Sequence, residues 1–284
     1  MPTGRPDPFG LPEWKALHRE ASLVRQILGT GATALGRANY ADNFGEYYSA
    51  FFSLSIGIER FAKLILIADY AIGQNGALPN QSVVRRFGHN LTQLLQNAEN
   101  VSLARNFALT YSKPTEYICW AAMNVLDAFA DASRGRYANF EAIGNPQFQA
   151  SEEPVNKWWT EVVEPILTLH YRGLDREAQV RHRAHVISSM LNGFAFVRYF
   201  DENGNEMQDV DVASQRTGQT KWAQKYGRYY TLLVVRWLAS IFDKLIHEAV
   251  YQHNIVAFFG HNEFFNTFTV GDEFLRERKV WPLF

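Results

Sequence analysis

Histidines and arginines crowd the segment Asp175-Arg176-Glu177-Ala178-Gln179-Val180-Arg181-His182-Arg183-Ala184-His185. These residue types suit acid–base work on a phosphodiester. His182 would act as acid or base toward a ribose 2′-hydroxyl, and Arg176 would hold the phosphate. Arg181 and His185 would assist, since arginine stabilises charge that builds on phosphate oxygens. Asp175 is the expected N-cap. On helical spacing Val180, Ala184, Ile187 and Leu191 form an inner face, while His182, His185 and Ser189 lie on the other with Arg181 beside them. The same residues also fit a solvated polar face near a helix start. Two histidines three residues apart lack an evident carboxylate partner for a metal.

Three other groups bear chemistry. Arg134-Gly135-Arg136-Tyr137-Ala138-Asn139-Phe140 places two arginines, a tyrosine and an asparagine together, which suits a phosphate or a nucleotide. Arg216, Lys221, Lys225 and Arg228 interleave with Trp222, Tyr226, Tyr229 and Tyr230, and no acidic residue occurs between Val212 and Ser240. Lys221, Lys225 and Arg228 follow one helix face. Bases near a helix N-terminus are disfavoured by the dipole, so a compensating anion is expected. Basic side chains beside aromatic rings suit single-stranded RNA, and equally a solvated stripe over buried rings. Asp201, Glu202, Glu206, Asp209 and Asp211 form an acidic cluster, read as turn residues rather than a metal site. No metal or cofactor is expected.

The elements that must position these groups are helical. The chain has 284 residues, 47% hydrophobic and 14% aromatic, ample for a sizeable core. Its 28 basic and 29 acidic side chains nearly cancel, so a nucleic-acid site must be a local patch. Cys119 is the one cysteine and lies in an apolar run, which reads as a small buried hydrophobe and excludes an internal disulfide framework. The N-terminus lacks the apolar core of a signal peptide. The most apolar stretch, residues 61–72, is interrupted by Lys63 and Asp69 and is too short to span a bilayer. A cytoplasmic protein without membrane contact is expected. Dinucleotide, phosphate-loop, nucleophile-elbow, Cys-x-x-Cys and His-Glu-x-x-His motifs do not occur.

The first helix is expected from Pro12 to about Leu28, weakened or ended by Gly29-Thr30-Gly31. A long helix at 44–73 carries Tyr47, Phe51, Leu54, Ile58, Phe61, Ile65 and Ala68 at three- and four-residue steps. Phe52, Ile56, Leu64, Leu66 and Ile67 make its far side apolar too, as in a buried helix. Glu59 and Lys63 are spaced for an ion pair. Helices are expected at about 115–133, 154–171, 175–191 and 219–252, with a loop at 138–153. Strands at 194–200 and 206–212 flank Asn203-Gly204, a hairpin signal. The aromatic tail after residue 254 should fold back on the body or cover a partner subunit.

The order of features from 44 to 140 resembles a HEPN domain, a helical family found in nucleotide-binding and RNA-cleaving proteins. The matching residues are Tyr48 to Lys63 with its Glu59 and Lys63; then Gly88-His89-Asn90-Leu91 leading into Leu94-Leu95; then Arg134-Gly135-Arg136-Tyr137-Ala138-Asn139. The resemblance implies an all-α, HEPN-like helical bundle over 1–140, with 154–284 as a helical extension bearing the small β-hairpin near 194–212. It implies RNA or nucleotide engagement in stress or defence, a homodimer, and phosphate contacts from His89, Arg134, Arg136 and Tyr137. Lys221, Lys225 and Arg228 would extend that surface. Catalytic members carry Arg, four to six residues, then His. Here that spacing occurs at Arg176 and His182, beyond the matched region. A metal-independent endoribonuclease is one expectation. A non-catalytic helical module that binds a partner and dimerises is the other.

Overall fold

The computed structural model describes residues 7–131, 143–144, 153–191, 194–195 and 197–282. Helix α1 (Pro12–Leu35) opens on Pro12 and carries Glu13 in its first turn. It packs antiparallel against α2 (Gly45–Gly73). The seven apolar residues expected on the inner face of α2 are all buried. The far side is less enclosed, since Phe52 and Ile56 remain 39% and 40% exposed. Asn75 and Gly76 then take positive φ values of 52° and 94° and end the helix.

The Gly29-Thr30-Gly31 sequence does not end α1, contrary to its reading as a breaker. A Cβ on Gly31 would sit 2.7 Å from Leu54 Cγ, and one on Gly57 would sit 2.7 Å from Leu28 Cδ2. Each glycine thus admits a leucine of the opposing helix. That close packing offsets a helix cost of about 1 kcal/mol relative to alanine.

Asn80 caps α3 (Gln81–Arg86), and Asn90 caps α4 (Leu91–Ala104) by accepting the Gln93 N–H at 2.7 Å. Helix α5 (Tyr117–Ala130) buries Cys119, whose thiol pKa is pushed far up by burial. Asp127 of α5 accepts the Leu91 N–H at 2.7 Å and the Asn90 amide at 3.0 Å, fixing where α4 begins.

Residues 154–171 are helical with an interruption. Helix α6 (Pro154–Trp158) passes through a π turn (Trp159–Val163) into α7 (Glu164–His170). Trp158 and Trp159 are both fully buried. Helix α8 (Asp175–Leu191) has the expected bounds. Its inner face is narrower than the spacing suggests: Ala184 is buried and Val180 partly so, but Ile187 and Leu191 are 43% and 39% exposed. The reason is that α8 packs chiefly on one neighbour, α9 (Val210–His247).

Strands β1 (Tyr199–Phe200) and β2 (Glu206–Met207) pair antiparallel, Tyr199 opposite Met207. They are shorter than expected, because Asp209 caps α9 and draws Val210–Val212 into the helix. Helix α9 therefore starts nine residues before 219, and Lys221 lies well past its first turn. At that distance from the N-terminus the helix dipole calls for no compensating anion beside Lys221.

The tail folds back on its own chain. Phe265 stacks on Phe61 at 3.9 Å, Phe268 stacks on Trp281, and the Trp281 N–H donates to Thr33 Oγ1 at 3.0 Å. A short helix, α10 (Asp272–Glu277), sits within it. One hydrophobic cluster runs from Leu17 to Trp281 and joins both halves of the chain. Among the described residues no helix is long and apolar enough to cross a membrane.

Candidate functional site

Rings and cations converge where α7, α8, α9 and α10 meet. Trp222, Tyr226 and Tyr230 recur every four residues on α9 and so share one face. His170, the last residue of α7, lies parallel on Tyr226, with centroids 3.6 Å apart and planes 3° apart. Its Nε2 is 2.8 Å from the Tyr230 hydroxyl. Trp222 continues the series, 6.2 Å from Tyr226 and nearly coplanar in orientation.

Cations surround this row. The Arg176 guanidinium lies 4.3 Å over Trp222 and donates to the His170 carbonyl at 3.0 Å. Lys221 and Lys225 approach Trp222 at 5.9 Å and 6.0 Å. Lys225 also pairs with Glu277 of α10. Burial lowers the His170 pKa to about 4, reinforced by the charges of Arg176, Arg276 and Lys225. His170 is therefore neutral near pH 7 and takes part as a ring and a hydrogen-bonding group. Burial pushes the Tyr230 hydroxyl up to about 12, so it stays protonated. This face offers solvent the partly exposed rings of Trp222 and His170 with cations beside them, while Tyr226 and Tyr230 lie buried beneath at 8% and 4% exposure. A ring beside cations is the chemistry of a site for a base and its phosphate.

The residues expected from sequence are distributed unevenly over it. Arg176, Lys221 and Lys225 belong to the face. Arg228 does not face solvent: it is 3% exposed, donates to the Arg276 carbonyl and packs beside Gly36. Burial lowers its pKa to about 10. Arg181 pairs with Glu177 one turn away at 2.9 Å. His182 and His185 are exposed on α8. Arg176 and His182 are six residues apart on one helix, which places them about 120° apart around its axis. Arg134, Arg136 and Tyr137 lie outside the described residues.

His89 belongs to a separate group. Gly88 takes a φ of 77°, Asn90 caps α4, and between them His89 Nδ1 sits 2.9 Å from Glu59 Oε1. Lys63 meets the same oxygen at 2.8 Å. The Glu–Lys pair and the Gly-His turn are thus joined in space, with the imidazole exposed. The hairpin acids are engaged internally. Asp201 and Glu202 both meet Arg216, at 2.6 Å and 3.4 Å, and that guanidinium lies 3.9 Å over Trp159. Asp209 is the α9 cap and Asp211 accepts from Gln215.

Two members of the ring-and-cation face are not evident from sequence. His170 lies at a helix end with no spacing relation to Tyr226. Arg276 comes from the tail. The repeat of Trp222, Tyr226 and Tyr230 is the signal that was present. Two cations of the basic stripe are met by the chain's own acids: Arg216 by Asp201 and Glu202, and Lys225 by Glu277. No family model matches this chain, and neither a curated protein nor a solved structure matches it.

Proposed function

We propose that this chain is a HEPN-like protein that binds single-stranded RNA, or a nucleotide from it, on the face formed by Arg176, Lys221, Trp222 and Lys225. The observation that carries the reading is the partly exposed Trp222 ring with Arg176, Lys221 and Lys225 at 4.3, 5.9 and 6.0 Å from it. Every base offers a π face to an indole, and Lys221, with no ion pair among the described residues, is free to meet phosphate.

The test is fluorescence anisotropy with a labelled single-stranded RNA across a range of salt. Trp222→Ala should weaken binding about 5- to 150-fold, from about 1–3 kcal/mol per stacked base. Lys221→Gln should reduce the salt slope by about 0.7, one phosphate contact on a single strand. Wild-type binding that neither substitution changes would refute the assignment.

RNA cleavage by Arg176 and His182, helped by Arg181 and His185, is the finer form of this proposal. Their separation around α8 requires two copies to complete one site. The row Ile187, Met190, Leu191 and Phe194, with Met190 and Phe194 76% and 92% exposed, supports such pairing, since it offers apolar surface beside those residues. A His182→Ala protein with undiminished RNase activity, or a monomer in sedimentation at all concentrations, removes the cleavage reading and leaves the binding one.

A further inference from the structure

A cleft of about 470 Å³ opens where the first helix meets the folded-back tail, away from the ring-and-cation face. Trp14, His18 and Arg25 line it from one stripe of α1, at steps of four and seven residues. Phe9 lines it from the turn before α1, and Phe264 and Glu263 from the tail.

The rings form a connected wall. Phe9 meets Trp14 edge-on at 5.0 Å, His18 stacks on Trp14 at 4.6 Å, and Phe264 meets His18 edge-on at 4.9 Å. The indole is held in place because its N–H donates to the Phe259 carbonyl at 2.9 Å. Behind the wall His261 is 1% exposed and lies 5.3 Å from Trp14. Its pKa is lowered to about 4 by burial, so the backing of the wall is uncharged near pH 7.

Two opposite charges complete the cleft. Arg25 and Glu263 both line it, yet they form no ion pair with each other or with any other described residue. An unpaired cation and an unpaired anion in one small aromatic cleft match a zwitterion with a flat side chain. A purely apolar ligand would leave both charges unused. An aromatic acid would leave Glu263 without a partner, and an aromatic amine would leave Arg25 without one. The volume is within the range of small-molecule sites, about 300–1,000 Å³.

We propose that this cleft binds a free aromatic amino acid, its ring against Trp14 and Phe264, its carboxylate on Arg25 and its ammonium on Glu263. The site is independent of the RNA face: no residue is shared, so either assignment stands if the other fails.

Calorimetric titration and saturation-transfer NMR of the full chain with phenylalanine test it. Hydrocinnamate lacks the ammonium, phenethylamine lacks the carboxylate and alanine lacks the ring. Phenylalanine should bind saturably, and each comparator should bind at least about tenfold more weakly, as expected for losing one charge-assisted contact or the ring. Arg25→Gln should weaken phenylalanine about tenfold or more and leave phenethylamine unchanged. Glu263→Gln should weaken phenylalanine and phenethylamine together and leave hydrocinnamate unchanged. Both positions lie at the surface, and melting curves matching wild type confirm the fold. No saturable binding of phenylalanine, hydrocinnamate or phenethylamine bound as tightly as phenylalanine, or variants that bind as wild type does, would each overturn the proposal.

Discussion

Acidification should destabilise this fold through His261 in a way that one substitution removes. The imidazole is 1% exposed, and burial lowers its pKa from 6.5 to about 4. Neither ring nitrogen has a hydrogen-bond partner among the described residues, His18 lowers the pKa further, and the nearby carbonyls of Phe258 and Trp14, which favour the charged ring, are outweighed. The folded chain therefore keeps the ring neutral between those two values, while the unfolded chain protonates it. The unfolded state binds more protons in that window, so stability falls as pH falls through it and is fully present above 6.5. Integrating proton uptake by the two states down to about pH 4.5 gives a loss of about 2.5 kcal/mol. His170 acts in the same direction, but it is partly exposed and solvent screening reduces its share. The measurement is urea unfolding of wild type and His261→Gln, each at neutral pH and at about pH 4.5. Carboxylates protonate in both proteins and cancel in the comparison. Wild type should lose about 2 kcal/mol more on acidification than the variant. Equal losses would refute the assignment of that acid sensitivity to His261.

Gly31→Ala should lower stability by about 1 kcal/mol, because a Cβ 2.7 Å from Leu54 Cγ costs more than the gain in helix propensity. Gly73→Ala, with nothing within 4 Å, should not, and melting temperatures separate the two. Arg216→Met should cost about 3–5 kcal/mol at neutral pH by leaving the buried Glu202 carboxylate without its cation. Burial already raises the Glu202 pKa, so part of that loss should return on mild acidification, as read from urea midpoints at two pH values. Asp127→Ala should cost about 1–3 kcal/mol by stranding the buried Leu91 N–H, and hydrogen exchange at the start of α4 should rise.

Local spacing determined much of this protein. The apolar steps on α2 name the residues that are buried, and Asp175 to Leu191 is one helix with the bounds its pattern suggests. Asn203-Gly204 makes the hairpin turn, with Gly204 at a φ of 79°. These features depend on neighbours a few residues away, which a linear pattern contains. Tertiary structure decided the rest. Gly29-Thr30-Gly31 is a helix interior because Leu54 of another helix fills the space above Gly31. Arg228 lies on the same face of the spacing as Lys225, yet the tail buries one against the Arg276 carbonyl and pairs the other, partly exposed, with Glu277. His170 joins the ring row through Tyr230, sixty residues on, and Arg25 shares a cleft with Glu263 from the far end of the chain. Periodicity states which face of a helix is apolar. Which element covers that face, and which charge then stands beside which ring, is set by packing between distant segments.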